Sequence, residues 1–170
     1  AGVIACRAYN RQGRNKCFIA LVPNSIYGPG DHFDQAKSHV FSSLIKKMHE
    51  AKQNNQDSIL LWGSGSPRRE FIYVDDVARA SIHAMKNAER LENHQYNIGS
   101  GRDLSINELA KMIAEVVGYK GKITWDTAQP DGAPRKLLDS SNFLALGWGP
   151  MTDIKAGLKL TYDWYLNAVN

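Results

Sequence analysis

Two arginines follow a glycine-rich turn in the stretch Trp62–Asp76, WGSGSPRREFIYVDD. Gly63 and Gly65 allow the backbone to turn without a Cβ penalty, and Pro67 presets the exit from the turn. Arg68 and Arg69 place two guanidinium forks beside it, and such forks match the oxygens of a diphosphate or a carboxylate in bidentate fashion. The same residues suit a strand-to-helix corner with solvated arginines, so residue type alone leaves both readings open. His39 is a second group with a clear chemistry. An imidazole titrates near neutrality and can deliver a proton, although by type it also reads as a polar residue at a helix start. Cys6 and Cys17 lack metal-ligand spacing and read as free thiols in a reducing compartment. No metal site is predicted.

The elements that must position these groups alternate between helix and strand. Residues 1–12 read as a helix tail ended by Gly13, without a capped helix start, so the chain is expected to be the latter part of something longer. Phe18–Pro23 is a continuous apolar run that fits a strand of a parallel sheet covered on both faces. Asn24–Phe33 reads as a loop. Ser38 is placed as the cap of a helix over His39–Lys52, whose stripe is Val40, Phe41, Leu44, Ile45 and Met48. A strand is predicted at Ile59–Trp62 and another at Phe71–Val74, followed by a helix over Asp76–Ala88 with Asp75 as N-cap. Its inward residues are Val77, Ser81, Ala84 and Met85.

Further on, Tyr96–Ile98 is a short strand. Ser105 and Glu108 form a capping box for a helix buried through Leu109, Ile113, Val116 and Val117 and ended by Gly118. Lys122–Trp125 is a strand, Gln129–Lys136 an irregular loop and Asn142–Leu146 a short helix. The last helix, Ile154 to about Ala168, turns Ile154, Leu158, Thr161, Tyr162 and Tyr165 to one side. This alternation is α/β. Only one strand is long and apolar enough to be central, so a doubly wound domain cannot be built from these residues alone. Gly63–Arg68 is not a dinucleotide fingerprint, because a strand follows it and not a helix.

Composition narrows the function classes. The 170 residues carry 43% hydrophobic and 22% charged residues, with a net charge of +4. That is an ordinary globular composition, and the charge suits an anionic small molecule. Basic residues are dispersed and not interleaved with exposed aromatics, which argues against nucleic acid. No apolar run approaches the length of a membrane span, and no signal peptide is expected. A cytoplasmic location is the expectation.

Several stretches occur together in one family: NSIYGPGDHF, KSHV, LLWGSGSPRREFIYVDD, NIGSG, VVGYKG, PDGAPRKLLD and LGW. In this order they resemble the GDP-L-fucose synthase family, NADP-dependent epimerase/reductases of the extended short-chain dehydrogenase/reductase class. REFIYVDD and YGP are shared with many nucleotide-sugar epimerases, whereas PDGAPRKLLD with KSHV is more specific. The resemblance covers essentially the whole chain. It implies the C-terminal substrate-binding lobe of such an enzyme together with the last part of an incomplete Rossmann domain: residues 1–34 as the tail of the dinucleotide-binding domain and 35–170 as mainly the sugar-nucleotide-binding lobe.

The implied reaction epimerises GDP-4-keto-6-deoxy-D-mannose at C3 and C5 through enediolates and then reduces the C4 ketone with NADPH. The family's Tyr-x-x-x-Lys pair, serine, cysteine and dinucleotide loop precede the matched region, so most of the NADP site is expected in a missing N-terminal half or a partner chain. Tyr9 and Lys16 have the wrong spacing to replace that pair. His39 matches the catalytic histidine and is also counted among the cofactor-contacting positions; His32, His49, His83 and His94 receive no role. Pro23, Asn24, Ser25 and Ile26 match the segment that lines the nicotinamide, mostly through backbone groups. The family commonly has Thr-Asn where this chain has Asn24-Ser25, which leaves side-chain contacts open.

Lys47, Trp62, Arg69, Lys122 and Asp131 match substrate-contacting positions. Arg69 would hold the diphosphate with its fork, and Lys47 would add charge without a fork. Trp62 is an aromatic wall or a core tryptophan. Asp131 is an acceptor for guanine or ribose donors, or a turn residue before Gly132. The resemblance implies a homodimer when complete and inactivity of this segment alone. Two alternatives stand beside it: a non-catalytic or split-chain nucleotide-sugar-binding protein, and another NAD(P)-dependent UDP- or dTDP-sugar epimerase or dehydratase.

Overall fold

Helices and short strands alternate along the chain, as the pattern predicts. The computed structural model describes residues 1–13, 18–34, 38–91 and 95–169. Lys16, Cys17 and His94 lie outside them. The described elements are α1 (Gly2–Gln12), β1 (Ala20–Pro23), β2 (Ser25–Tyr27), α2 (Val40–Gln53), β3 (Ser58–Trp62), β4 (Arg68–Tyr73), α3 (Val74–Lys86), β5 (Gln95–Ile98), β6 (Asp103–Ser105), α4 (Ile106–Val117), β7 (Lys122–Asp126), β8 (Arg135–Lys136), α5 (Ser141–Leu144) and α6 (Ile154–Val169).

Three small sheets result. β1 pairs in parallel with β5, and β3 in parallel with β7. β4 is the hub of the third. It runs parallel to β2 and β8 and antiparallel to β6. Side chains alternate across β4, as a pleated strand requires. Phe71 and Tyr73 join a core with Tyr27, Phe41, Ile45, Leu109, Ile113 and Leu158, drawn from β2, α2, α4 and α6. Ile72 enters a second core with Ala80, Ala84, Tyr96, Ile98, Phe143 and Trp148.

The capping box of α4 forms as the sequence implies: Glu108 N–H donates to Ser105 Oγ, and Ser105 N–H to the Glu108 carboxylate. Gly118 closes that helix at φ +76°, a left-handed position that glycine adopts freely. Other starts differ. His39, not Ser38, is the N-cap of α2, with no side-chain capping bond. Tyr73, not Asp75, precedes α3, because β4 runs directly into the helix. Asp75 and Asp76 therefore fall in its first turn, where they complement the helix dipole.

The inward face of α3 is also rotated. Asp76, Ala80 and Ala84 are buried, whereas Met85 is 78% exposed. β1 is shorter than the apolar run and half-buried throughout. The expected loop after it contains β2, the strand expected from Phe71 begins already at the arginines, and the expected Gln129–Lys136 loop ends in β8.

Candidate functional site

The polypeptide crosses from β1 to β2 through Asn24, and this crossing forms one wall of an open groove of about 720 Å³. Pro23, Asn24, Ser25 and Ile26 line it together with His39, Arg69 and Lys136. The crossing is fixed locally: Asn24 N–H donates to Ile98 O at 3.1 Å, and Asn24 Oδ1 accepts from Ser25 N–H at 3.0 Å. His39 is exposed at the start of α2, so the helix sets its backbone and leaves the imidazole toward the groove.

Arg69 enters from β4. Its Nη1 donates to Arg68 O at 2.7 Å and to Ala133 O at 2.6 Å, which pins one corner of the fork. Lys136 is its register partner on β8, so the two cations sit side by side at the groove. Arg68 points elsewhere. It donates from Nε to Asp103 Oδ1 at 2.8 Å and from Nη2 to Asp103 O at 3.0 Å. Hydrogen bonds from Arg68 and then Arg135 hold the Asp103 carboxyl below its usual range. Of the adjacent arginines, one thus braces the sheet and the other faces the groove.

Asp131 lies against the glycine-rich turn. Ser64 donates to it through N–H at 2.9 Å and Oγ at 2.6 Å. These two bonds, the hydroxyl first, lower the Asp131 carboxyl pKa. Gly63 stands at φ +79°, where an added Cβ would meet Asp131 Oδ1. A carboxylate has about four lone-pair sites, so the Ser64 contacts leave acceptor capacity on Asp131.

Beside the groove lies a second hollow of about 400 Å³, lined by Lys47, Trp62, Trp125 and Phe33, among others. Val40 lines both. Trp62 is 78% exposed, which excludes a core tryptophan. It ends β3 opposite Asp126 of β7. Lys47 Nζ donates to Leu60 O at 2.5 Å. Trp125 covers the turn so closely that a Cβ on Gly65 would stand 2.5 Å from its ring.

The structure thus brings together Pro23–Ile26, His39 and Arg69 in one groove, and Lys47 and Trp62 in the adjoining hollow. Asp131 joins them through Ser64 and through the loop that Arg69 holds. Lys122 stands apart: it pairs with Ser58 at the far end of β7, about 13 Å of strand from the Trp62–Asp126 end. Ser64 and Trp125 escape a reading by residue type. A serine in a turn carries no signal, and Trp125 is marked only by ending a strand that proves to pair with β3. Among the described residues no group of three or more His, Cys, Asp and Glu stands ready to hold a metal ion. No described helix is long and apolar enough to cross a membrane.

The profile of the NAD dependent epimerase/dehydratase family matches residues 1–99. The putative GDP-L-fucose synthase 2 of Arabidopsis thaliana is 47% identical over 99% of this chain and 51% of its own length. The GDP-L-fucose synthase of Escherichia coli K12 is 47% identical over 98% of this chain and 54% of its own. A crystal structure of a GDP-L-fucose synthetase from Naegleria fowleri bound to NADP superposes with a TM-score of 0.87 at 26% identity, over 98% of this chain and 53% of that one. The chain spans about half the length of the curated relatives it matches.

Proposed function

Because the chain belongs to the NAD dependent epimerase/dehydratase family, we propose that it forms the nucleotide-sugar-binding half of an NADP-dependent enzyme converting GDP-4-keto-6-deoxy-D-mannose to GDP-L-fucose. In this reading residues 1–34 are the end of the dinucleotide-binding domain and 35–170 mainly the sugar-nucleotide lobe. The observation that carries it is the convergence of an exposed imidazole, a half-anchored arginine fork and a strand-crossing backbone in one groove. The names of the relatives support the same substrate class.

The residues fit a dinucleotide's nicotinamide end. Pro23–Ile26 offer a fixed backbone edge beside the groove, and Asn24 and Ser25 are already held by Ile98 O and the Asn24 amide. Bound there, NADPH supplies a hydride to the C4 ketone. The remaining work falls to this chain's own groups. Arg69 and Lys136 neutralise the diphosphate, with Nε and Nη2 of Arg69 free of the carbonyl anchor on Nη1. Lys47 and Trp62 bound the nucleoside side, and Asp131 accepts from base or ribose donors. His39 delivers a proton to the enediolate carbon during epimerisation. The site that completes this chemistry, and a cytoplasmic homodimer, belong to the same proposal.

His39→Ala in the whole protein tests it. The variant is expected to stop solvent-deuterium incorporation at the sugar while leaving NADPH binding close to wild type. Normal incorporation would remove His39 from the reaction.

A further inference from the structure

Glu70 is 0% exposed, and no ion pair among the described residues includes it. A buried carboxylate is costly unless hydrogen bonds satisfy it. Here the bonds come from three separate places in the chain. Oε2 accepts from Asn24 Nδ2 at 2.5 Å and from Leu138 N–H at 3.1 Å. Oε1 accepts from Gly101 N–H at 2.7 Å and from Ser100 Oγ at 3.4 Å.

The position explains the set. β4 changes partners at this residue: Glu70 pairs with Asp103 of β6, and the next residue, Phe71, pairs with Ser25 of β2. A strand that switches neighbours leaves nearby backbone N–H groups without ladder acceptors, and buried donors must find one. The Glu70 carboxylate accepts from two of them. Gly99 leaves it room, because a Cβ there would stand 2.8 Å from Glu70 Cδ.

We propose that Glu70 is a positioning residue for the nicotinamide-side wall of the groove, a role that rests on the function proposed above. Its carboxylate draws the Asn24 amide nitrogen inward. That turns Asn24 Oδ1 onto Ser25 N–H and fixes the Pro23–Ile26 backbone that faces the cofactor. The role requires an acceptor on the Asn24 side. A glutamine turned with its oxygen toward Asn24 and Leu138 keeps both donors matched, while its NH₂ meets Gly101 N–H and the Ser100 hydroxyl, which can accept; turned the other way, it meets both the Asn24 NH₂ and Leu138 N–H. Glutamine therefore keeps the Asn24 contact, whereas a leucine of similar size offers no acceptor.

The test uses the whole protein that carries this chain, as wild type, Glu70→Leu and Glu70→Gln. NADPH and GDP-mannose are each titrated by calorimetry, with melting temperature followed in parallel. Glu70→Leu is expected to weaken NADPH binding about tenfold, the scale of an unmatched buried donor, with GDP-mannose affinity within about twofold of wild type. Glu70→Gln is expected to keep NADPH affinity within about threefold of wild type.

Equal loss for both ligands, or a lower melting temperature with NADPH affinity unchanged, would overturn the positioning role. So would a Glu70→Gln variant as weak as Glu70→Leu. If Glu70→Leu does not fold, Asn24→Ala removes only the amide that Glu70 orients. It is expected to show the same selective loss, and unchanged NADPH affinity there would overturn the role. A wild type that binds GDP-mannose but no NADPH would overturn the cofactor reading of the groove, and this proposal with it.

Discussion

Arg69 reaches the groove with one corner of its fork tied to Arg68 O and Ala133 O, so little side-chain freedom is left to lose when an anion arrives. Its neighbour Arg68, equal to it by residue type, is locked onto Asp103. The pleat separates them, since adjacent strand residues face opposite ways. Arg69→Ala in the whole protein is expected to weaken binding of a GDP-sugar by about 2 kcal/mol, a usual cost for losing a charge-assisted pair. Arg69→Lys should recover only part of it, because a point charge lacks the fork. Calorimetry reads both, and unchanged affinity in Arg69→Ala would remove the diphosphate role. Asp131 is a more constrained case: its bonds to Ser64 join the loop to the glycine turn before any ligand is considered.

α2 carries His39 at its start and Lys47 two turns further on, so its seating matters to both ends of the site. On its buried side His49 Nδ1 lies 2.9 Å from Tyr162 Oη of α6. Burial lowers the His49 pKa, Lys52 adds to this and Glu50 opposes it. The unfolded chain therefore binds this proton more readily than the folded one. The stabilisation is fully present above about pH 6.5, the ordinary histidine value, and is lost as pH falls through the lower folded value. The melting temperature of the whole protein is expected to drop from about pH 7.5 to about pH 5.5, and His49→Gln should flatten that slope; an equal slope in the variant would assign it to other groups. At this scale the sequence is legible where the period is long. The apolar stripe of α2 from Phe41 to Met48 (Val40, expected in it, is exposed and lines the groove instead), the capping box of α4, the face of α6 and the β3 and β7 strands follow directly from spacing. β2, β6 and β8 do not, because two or three residues contain no period and form only where a neighbouring strand presents a ladder. The buried face of α3 is misread for a tertiary reason. Asp76 lies in the first turn, but it is buried and accepts from Met151 N–H at 2.8 Å and Thr152 N–H at 3.1 Å, so the inward face runs through Asp76, Ala80 and Ala84.

Among the described residues, two cores share β4, and the groove opens where β1 hands over to β2 beside it. β1 is half-buried and, among the described residues, has β5 as its partner strand. The apolar run at 18–23 is richer than that setting requires, in keeping with a chain that spans about half the length of its relatives. His39 and the Pro23–Ile26 wall carry no decisive signal as residue types; they become legible through the resemblance in KSHV and NSIYGPGDHF, and the fold then sets them around one groove. Lys122 shows the limit of that route, since a matched position alone does not say which end of a strand it occupies. The most direct measurement is a parallel calorimetric titration of the whole protein with GDP-mannose, UDP-glucose and NADPH. GDP-mannose and NADPH are expected to bind, with UDP-glucose at least about tenfold weaker than GDP-mannose, a difference of about 1.4 kcal/mol. Binding of UDP-glucose as tight as that of GDP-mannose, or no binding of either sugar nucleotide, would contradict the assignment of this groove to a GDP-sugar.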